Sequence, residues 1–232
     1  MRQIAVYAGT RAVYRNMVIA AKSLVKHTRM DRVFFLIEDD EFPMQLPNVI
    51  TTVNESGQTW FRHDGPNYDS EWTYMSLMRL ALPEVFPTEE RVLWLDTDTI
   101  VEKDIGGLFD IDMDGNYVAA VAEPVRSSYP FVYHNSGVLL MDLDRIRRDG
   151  VHKKWIHLVN TMPYTAPDQD AINLFCQGEI LTLPFEYNSA GHITREAADP
   201  YIRHHAGSLK WVEPEIFGYY ERAEWEVKED DS

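Results

Sequence analysis

Asp96-Thr97-Asp98 sets two carboxylates one residue apart, at the end of the apolar run Val92-Leu93-Trp94-Leu95 and just ahead of Ile100-Val101. Carboxylates this close repel each other unless a cation lies between them or one takes a proton. A hard divalent ion resolves the repulsion simply: oxygen ligands suit Mg²⁺ or Mn²⁺, and these ions keep open positions for phosphate oxygens. Asp also opens turns after strands, so the surroundings of the pair must decide between a cation cradle and a turn.

The elements that would hold the pair follow from hydrophobic patterning. A continuous apolar run entered from a polar segment reads as a strand buried on both faces of a mostly parallel sheet, and such strands present ligand-binding groups at their carboxyl ends. Residues 4–8, 33–37 and 49–53 read the same way before the pair, as do 118–122, 138–141, 180–184 and 201–203 after it. Helical spacing predicts an amphipathic helix over 14–27 and another over 72–82, the latter carrying Arg79 among apolar neighbours. A helical stretch over 145–161 is broken around Gly150, and Pro167 opens a further helix at the position where a first turn tolerates proline. Residues 54–71 read as a loop. The turn after the first strand, Gly9-Thr10, lacks both the Gly-x-Gly-x-x-Gly of dinucleotide sites and the Gly-Lys-Ser/Thr of phosphate loops. With no internal repeat or linker, the expectation is one α/β domain over 1–220 and an acidic tail over 221–232.

Composition bounds the partners. Across 232 residues, 45% hydrophobic and 25% charged content is that of an ordinary globular protein, and the net charge of −15 disfavours nucleic acid and anionic lipid. No apolar run approaches the roughly 20 residues of a membrane span, and the N-terminus enters a strand without a signal peptide's apolar region. Cys176 is the single cysteine, so no intrachain disulfide can form. A cytoplasmic protein without an integral membrane segment is expected. The tail, with six acidic residues against Arg222 and Lys228, reads as a solvated terminus.

In chain order, the acidic pair, Asn135-Ser136-Gly137, Asp168-Gln169-Asp170 and the late His204-His205-Ala206-Gly207-Ser208-Leu209-Lys210 resemble the family-8 retaining glycosyltransferases, the group containing glycogenin and bacterial lipooligosaccharide galactosyltransferases. The resemblance covers nearly the whole chain. It implies a single GT-A type nucleotide-sugar-binding domain, a mixed, mostly parallel sheet flanked by helices. It also implies Mn²⁺, with Mg²⁺ as the other candidate ion, and a UDP-sugar donor of glucose or galactose. The acceptor, whether saccharide, lipid-linked or protein, stays open.

By the same resemblance Asp96, Asp98 and His204 are the metal ligands, and His205 falls out of the spacing. Gly207 approaches the diphosphate and Lys210 neutralises the leaving group. Asn135, Ser136, Asp168 and Gln169 line the sugar pocket, and Asp168 or Gln169 faces the sugar cation. Ala8, Thr10 and Tyr14 contact the nucleotide, with Thr97 and Arg79 as further substrate-binding positions beside the pair. Two positions depart from the family pattern: Ala12 stands where an Asp is common, and Trp211 follows Lys210 directly where the family has Pro between them. Aromatics of the variable loops, Trp60, Phe61, Tyr129, Phe131 and Tyr133, could stack on an acceptor sugar or simply pack.

Two other readings compete. Asp-Thr-Asp-Thr-Ile after an apolar strand looks like the first motif of haloacid-dehalogenase-type phosphatases, but that motif sits on the family's first core strand and here three strands precede it. A non-catalytic nucleotide-sugar-binding homologue would keep the pocket, yet it would have no use for leaving-group machinery such as Lys210.

Overall fold

The structure, a computed structural model, describes residues 1–70, 72–124, 129–191, 193–206 and 215–229. In chain order the strands are β1 (Ile4–Ala8), β2 (Arg32–Ile37), β3 (Ile50–Asn54), β4 (Arg91–Leu95), β5 (Thr99–Val101), β6 (Val118–Val121), β7 (Val138–Asp142), β8 (Ile180–Leu183) and β9 (Ile202–His204). The helices are α1 (Tyr14–His27), α2 (Thr73–Val85), α3 (Leu143–Asp149), α4 (Val151–Thr161), α5 (Pro167–Phe175) and α6 (Glu215–Arg222). Seven strands form one sheet in the order β3-β2-β1-β4-β7-β6-β8, and β5 pairs with β9 in a separate two-stranded ribbon. Within the large sheet only β7 runs against its neighbours, so the sheet is mixed and mostly parallel, as expected.

The apolar runs are continuous because the sheet is covered on both sides. Ile4, Val6, Val92 and Trp94 face a core built with Met78 of α2, Ile146 of α3, Trp155 of α4 and Ile172 of α5. Ala5, Tyr7, Leu93 and Leu95 face the opposite core, built with Met17 and Leu24 of α1 and with Leu108 and Phe109. Fully burying each large apolar side chain contributes about 1.5–3 kcal/mol, so neither face tolerates the alternating polar residues of a half-exposed strand.

Some boundaries move. Helix α2 runs past Leu82 and through Pro83, closing with the Phe86 N–H donating to the Leu82 carbonyl at 2.8 Å. Gly150 separates α3 from α4 in a left-handed conformation, φ +68°, which the missing Cβ makes cheap. Most residues of 221–229 are exposed, as expected of a solvated terminus, yet the segment is docked on α1. Lys228 donates its N–H to the Val25 carbonyl at 2.7 Å, Lys26 pairs with Glu226, and Lys22 lies over the Trp225 ring. Two of the segment's acidic side chains thus pair with α1, Glu221 with Arg15 and Glu226 with Lys26.

His134, just upstream of β7, is buried, with Nε2 2.8 Å from the Thr182 hydroxyl. Burial pushes its pKa down from 6.5 to about 4. Between those values the unfolded chain takes a proton that the native ring refuses, so stability is full above pH 6.5 and falls as pH drops toward 4. The expected loss is about 3 kcal/mol at most. Urea denaturation at about pH 7.5 and about pH 4.5 should therefore show a steeper acid loss for wild type than for His134→Gln; equal losses would contradict the prediction.

Candidate active site

The topology brings the acidic pair to the point where the sheet changes direction. The order reverses between β1 and β4, and in open α/β sheets ligands bind outside the carboxyl ends of the strands at such a switch point. Antiparallel β7 begins where β4 ends, with Leu95 opposite Val138, so Asn135-Ser136-Gly137 lies alongside Asp96. The Asp96 N–H donates to the Gly137 carbonyl at 2.8 Å. Over 96–98 the chain turns, held by the Thr99 hydroxyl donating to the Asp96 carbonyl at 2.7 Å, and enters β5. There the ribbon register sets His204 opposite Thr99, one residue beyond Asp98.

Asp96, Asp98 and His204 can each offer a ligand atom such that all three lie within 4.8 Å of one another. His204 Nε2 is 3.2 Å from Asp98 Oδ1 and 3.8 Å from Asp96 Oδ2. Two carboxylates and one imidazole nitrogen form a donor set that Mn²⁺ accepts readily and Mg²⁺ accepts less well because of the nitrogen. His205 points elsewhere. Its N–H donates to the Asp98 carbonyl at 2.9 Å while its ring meets the edge of Phe217. Adjacent residues of a strand face opposite ways, which is why one histidine reaches the site and the other does not.

Arg79 ties the acidic pair to the start of α5. It is 4% exposed, and its guanidinium lies over the Trp94 ring, 4.5 Å from the centroid. Nη2 donates to Asp96 Oδ1 at 2.9 Å, Nη1 donates to the Ser136 carbonyl at 2.5 Å, and Nε lies 3.1 Å from Asp168 Oδ2. Trp94 Nε1 donates to the same Asp96 Oδ1 at 2.9 Å. Asp96 therefore divides its oxygens, one held by Arg79 and Trp94, the other turned to His204.

Helix α5 opens with Pro167 at its first turn and carries Asp168, Gln169 and Asp170, all buried, near its positive end. Asp170 reaches back to accept from the Ala166 N–H at 3.0 Å and also accepts from the Tyr133 hydroxyl at 2.5 Å. That capping role leaves Asp168 for the site, where its Oδ2 accepts from the Ser136 hydroxyl at 2.8 Å. Burial pushes the Asp168 carboxyl above its usual range, against the pull of Arg79 and the Ser136 hydroxyl. Gln169 Oε1 is held by the Ser136 N–H at 2.9 Å and by Asn135 Nδ2 at 3.1 Å, and its own Nε2 donates to Glu123 Oε2 at 2.9 Å.

Asp96, Asp98, His204, Arg79, Asn135, Ser136, Asp168 and Gln169 thus form one hydrogen-bonded constellation, with Thr97 in the turn between the carboxylates. Ala8, Thr10 and Tyr14 stand at the carboxyl end of neighbouring β1. Tyr14 is 2% exposed, with Phe42 against its ring, and its hydroxyl accepts from the Glu38 N–H at 3.0 Å. Gly207 and Lys210 lie outside the described residues. Of the loop aromatics, Phe61 is core and Tyr133 is buried, while Tyr129 stacks on Tyr133 with centroids 4.9 Å apart. Trp94, Glu123 and Asn188 belong to the constellation without any motif that announces them.

The profile of glycosyl transferase family 8 matches residues 5–210. The chain belongs to that family. Glycosyltransferase GlyE of Streptococcus pneumoniae serotype 4 (strain ATCC BAA-334 / TIGR4) is 27% identical over 199 residues, 81% of this chain and 48% of its own length. Lipopolysaccharide 1,2-glucosyltransferase of Escherichia coli (strain K12) is 33% identical over 125 residues, 48% of this chain and 37% of its own. This family 8 chain therefore spans about half the length, or less, of these curated relatives. Among solved structures, the galactosyltransferase LgtC in complex with donor and acceptor sugar analogues superposes with a TM-score of 0.74 at 19% identity, covering 94% of this chain and 95% of that one. A likeness at that identity establishes the GT-A type fold. Family membership also sets aside the dehalogenase-type reading of the acidic pair.

Proposed function

We propose that this family 8 chain transfers a hexose, glucose or galactose, from a UDP-sugar to a hydroxyl acceptor with retention of configuration, using Mn²⁺. The observation that carries the reading is the convergence of Asp96, Asp98 and His204 beside the buried Arg79–Asp168 pair. In this reading Asp96, Asp98 and His204 hold the ion, which would offset the negative charge that collects on the diphosphate as the sugar departs. The family resemblance assigns a second positive charge for the leaving group to Lys210 and a close backbone approach to the phosphates to Gly207.

On the sugar side, charge of the opposite sign develops. Asp168 in its ionised form stabilises it, and Arg79 with the Ser136 hydroxyl fixes where that carboxylate points. Gln169 Oε1 is held by donors of residues 135 and 136, which favours Asp168 over Gln169 as the group facing the anomeric carbon. Ala8, Thr10, Tyr14 and Thr97 are assigned to the nucleotide side. Cys176, buried and alone, fits a reducing cytoplasm.

The test is Mn²⁺ titration with UDP present, followed by a UDP-sugar hydrolysis screen. Wild type should bind UDP with the metal and slowly release UDP from UDP-glucose or UDP-galactose. His204→Ala should weaken Mn²⁺ binding while His205→Ala leaves it nearly unchanged. Absence of metal-dependent UDP binding by wild type would overturn the function, and equal losses in both variants would overturn the ligand assignment.

A further inference from the structure

We infer that Asn188, which lies outside every motif of the family resemblance, is a positioning residue that selects the metal-binding tautomer of His204. The argument starts from groups whose polarity is unambiguous. A backbone N–H can only donate, so the Gly137 N–H, 3.0 Å from Asn135 Oδ1, identifies that atom as the amide oxygen. The other end of the same amide agrees, since Asn135 Nδ2 faces Glu123 Oε2 at 3.3 Å and Gln169 Oε1 at 3.1 Å. Gln169 Oε1 is itself identified by the Ser136 N–H at 2.9 Å.

Asn188 is fully buried. Its contact with Asn135 Oδ1, at 2.8 Å, must come from its own Nδ2, because an oxygen there would face an oxygen. The Asn188 amide oxygen is thereby turned to His204 Nδ1, at 2.9 Å. A carbonyl oxygen only accepts, so Nδ1 carries a proton, which leaves Nε2, the nitrogen that faces Asp98 and Asp96, as the ring atom able to offer a lone pair to an ion held there. Metal-binding histidines commonly have their second ring nitrogen anchored in this way, and loss of the anchor costs about 10- to 100-fold in metal affinity.

Asn135 consequently has its whole amide engaged within the protein. Its place is between the metal side and the sugar side of the site, where it relays backbone polarity from residue 137 to His204. The inference rests on the metal-site reading proposed above, but its tautomer statement can be tested without the metal.

Two measurements decide it. Nitrogen-15 NMR of the metal-free protein should show a proton held on His204 Nδ1 in wild type and lost from that nitrogen or redistributed in Asn188→Leu. Electron paramagnetic resonance of Mn²⁺ with UDP should show binding weakened about 10- to 100-fold in Asn188→Leu, with Asn188→Ala as the second variant if the first does not fold. Asn188→Asp keeps an acceptor for Nδ1–H while losing the donor to Asn135. It should bind Mn²⁺ close to wild type even if its melting temperature falls, an outcome that a merely structural role would not give. A wild-type ring with no proton on Nδ1, or wild-type Mn²⁺ affinity in Asn188→Leu, overturns the inference. Failure of wild type to bind Mn²⁺ at all would sink the metal reading, and the NMR result would still decide the tautomer.

Discussion

Arg79→Met should cost about 3–5 kcal/mol of folding stability, the loss typical of removing one partner from a buried ion pair, and should reduce UDP-sugar turnover to background. Arg79 is nearly inaccessible and serves Asp96, Asp168 and the Ser136 carbonyl at once. Without it, the burial that already raises the Asp168 carboxyl pKa acts unopposed by a cation, and the carboxylate is pushed further toward its neutral form. A neutral carboxyl cannot stabilise the sugar cation, so activity falls together with stability. Lys at this position restores the charge, but its single ammonium cannot reproduce a fork that reaches two carboxylates; Arg79→Lys should recover part of the stability and little of the turnover. The exposed Arg15–Glu221 pair is the contrast, with both side chains more than two-fifths exposed. Arg15→Met should change stability by less than about 1 kcal/mol. Urea denaturation of the three variants checks the order. An Arg79→Met midpoint equal to that of Arg15→Met would show that the buried network is not holding the site together.

Much of this arrangement is legible in the residues. The runs at 4–8, 33–37 and 91–95 are continuous because helices cover both faces of the sheet, and continuity is a signal a reader can see. Asp96, Asp98 and His204 carry their chemistry in their types, and the family resemblance, through the spacing of His204 from Gly207 and Lys210, separates it from His205. What stays hidden depends on pairings across long stretches of chain. Asn188 meets a residue 16 positions away on one side and 53 on the other, and neither partner is suggested by local pattern. The β5–β9 ribbon is similarly invisible, since two three-residue segments have too little periodicity to announce their pairing. For the tail, charge tells half: its carboxylates point to solvation, and most of 221–229 is exposed, while Trp225 and the Lys228 N–H also dock the segment on α1.

Gly137 is the other position where the local reading and the structure part, and its substitution should have the largest effect on the metal. In sequence, Asn-Ser-Gly suggests a glycine chosen for a turn. Gly137 is absent from the positive-φ glycines, so its backbone is one that alanine can adopt. Its constraint is space. A Cβ at this position would stand 2.1 Å from His204 Cε1, 2.7 Å from His204 Nδ1 and 3.0 Å from Asn135 Oδ1. The imidazole would have to retreat by more than an ångström to reach an ordinary contact of about 3.5–4.0 Å, and it would leave both Asn188 and the acidic pair. Overpacking of this kind costs about 1–3 kcal/mol, partly offset by the about 0.4–1 kcal/mol that alanine gains through the unfolded chain, so Gly137→Ala should fold. Its Mn²⁺ affinity with UDP present should nonetheless fall by about 100-fold, the upper end of what losing a histidine's support costs. Gly107→Ala is the control, because a Cβ there meets nothing within 4 Å. Electron paramagnetic resonance on both variants, with melting curves to confirm folding, separates the outcomes. A folded Gly137→Ala that binds Mn²⁺ as tightly as Gly107→Ala would mean that His204 can leave its position against residue 137 without loss to the metal, and that it is not a ligand.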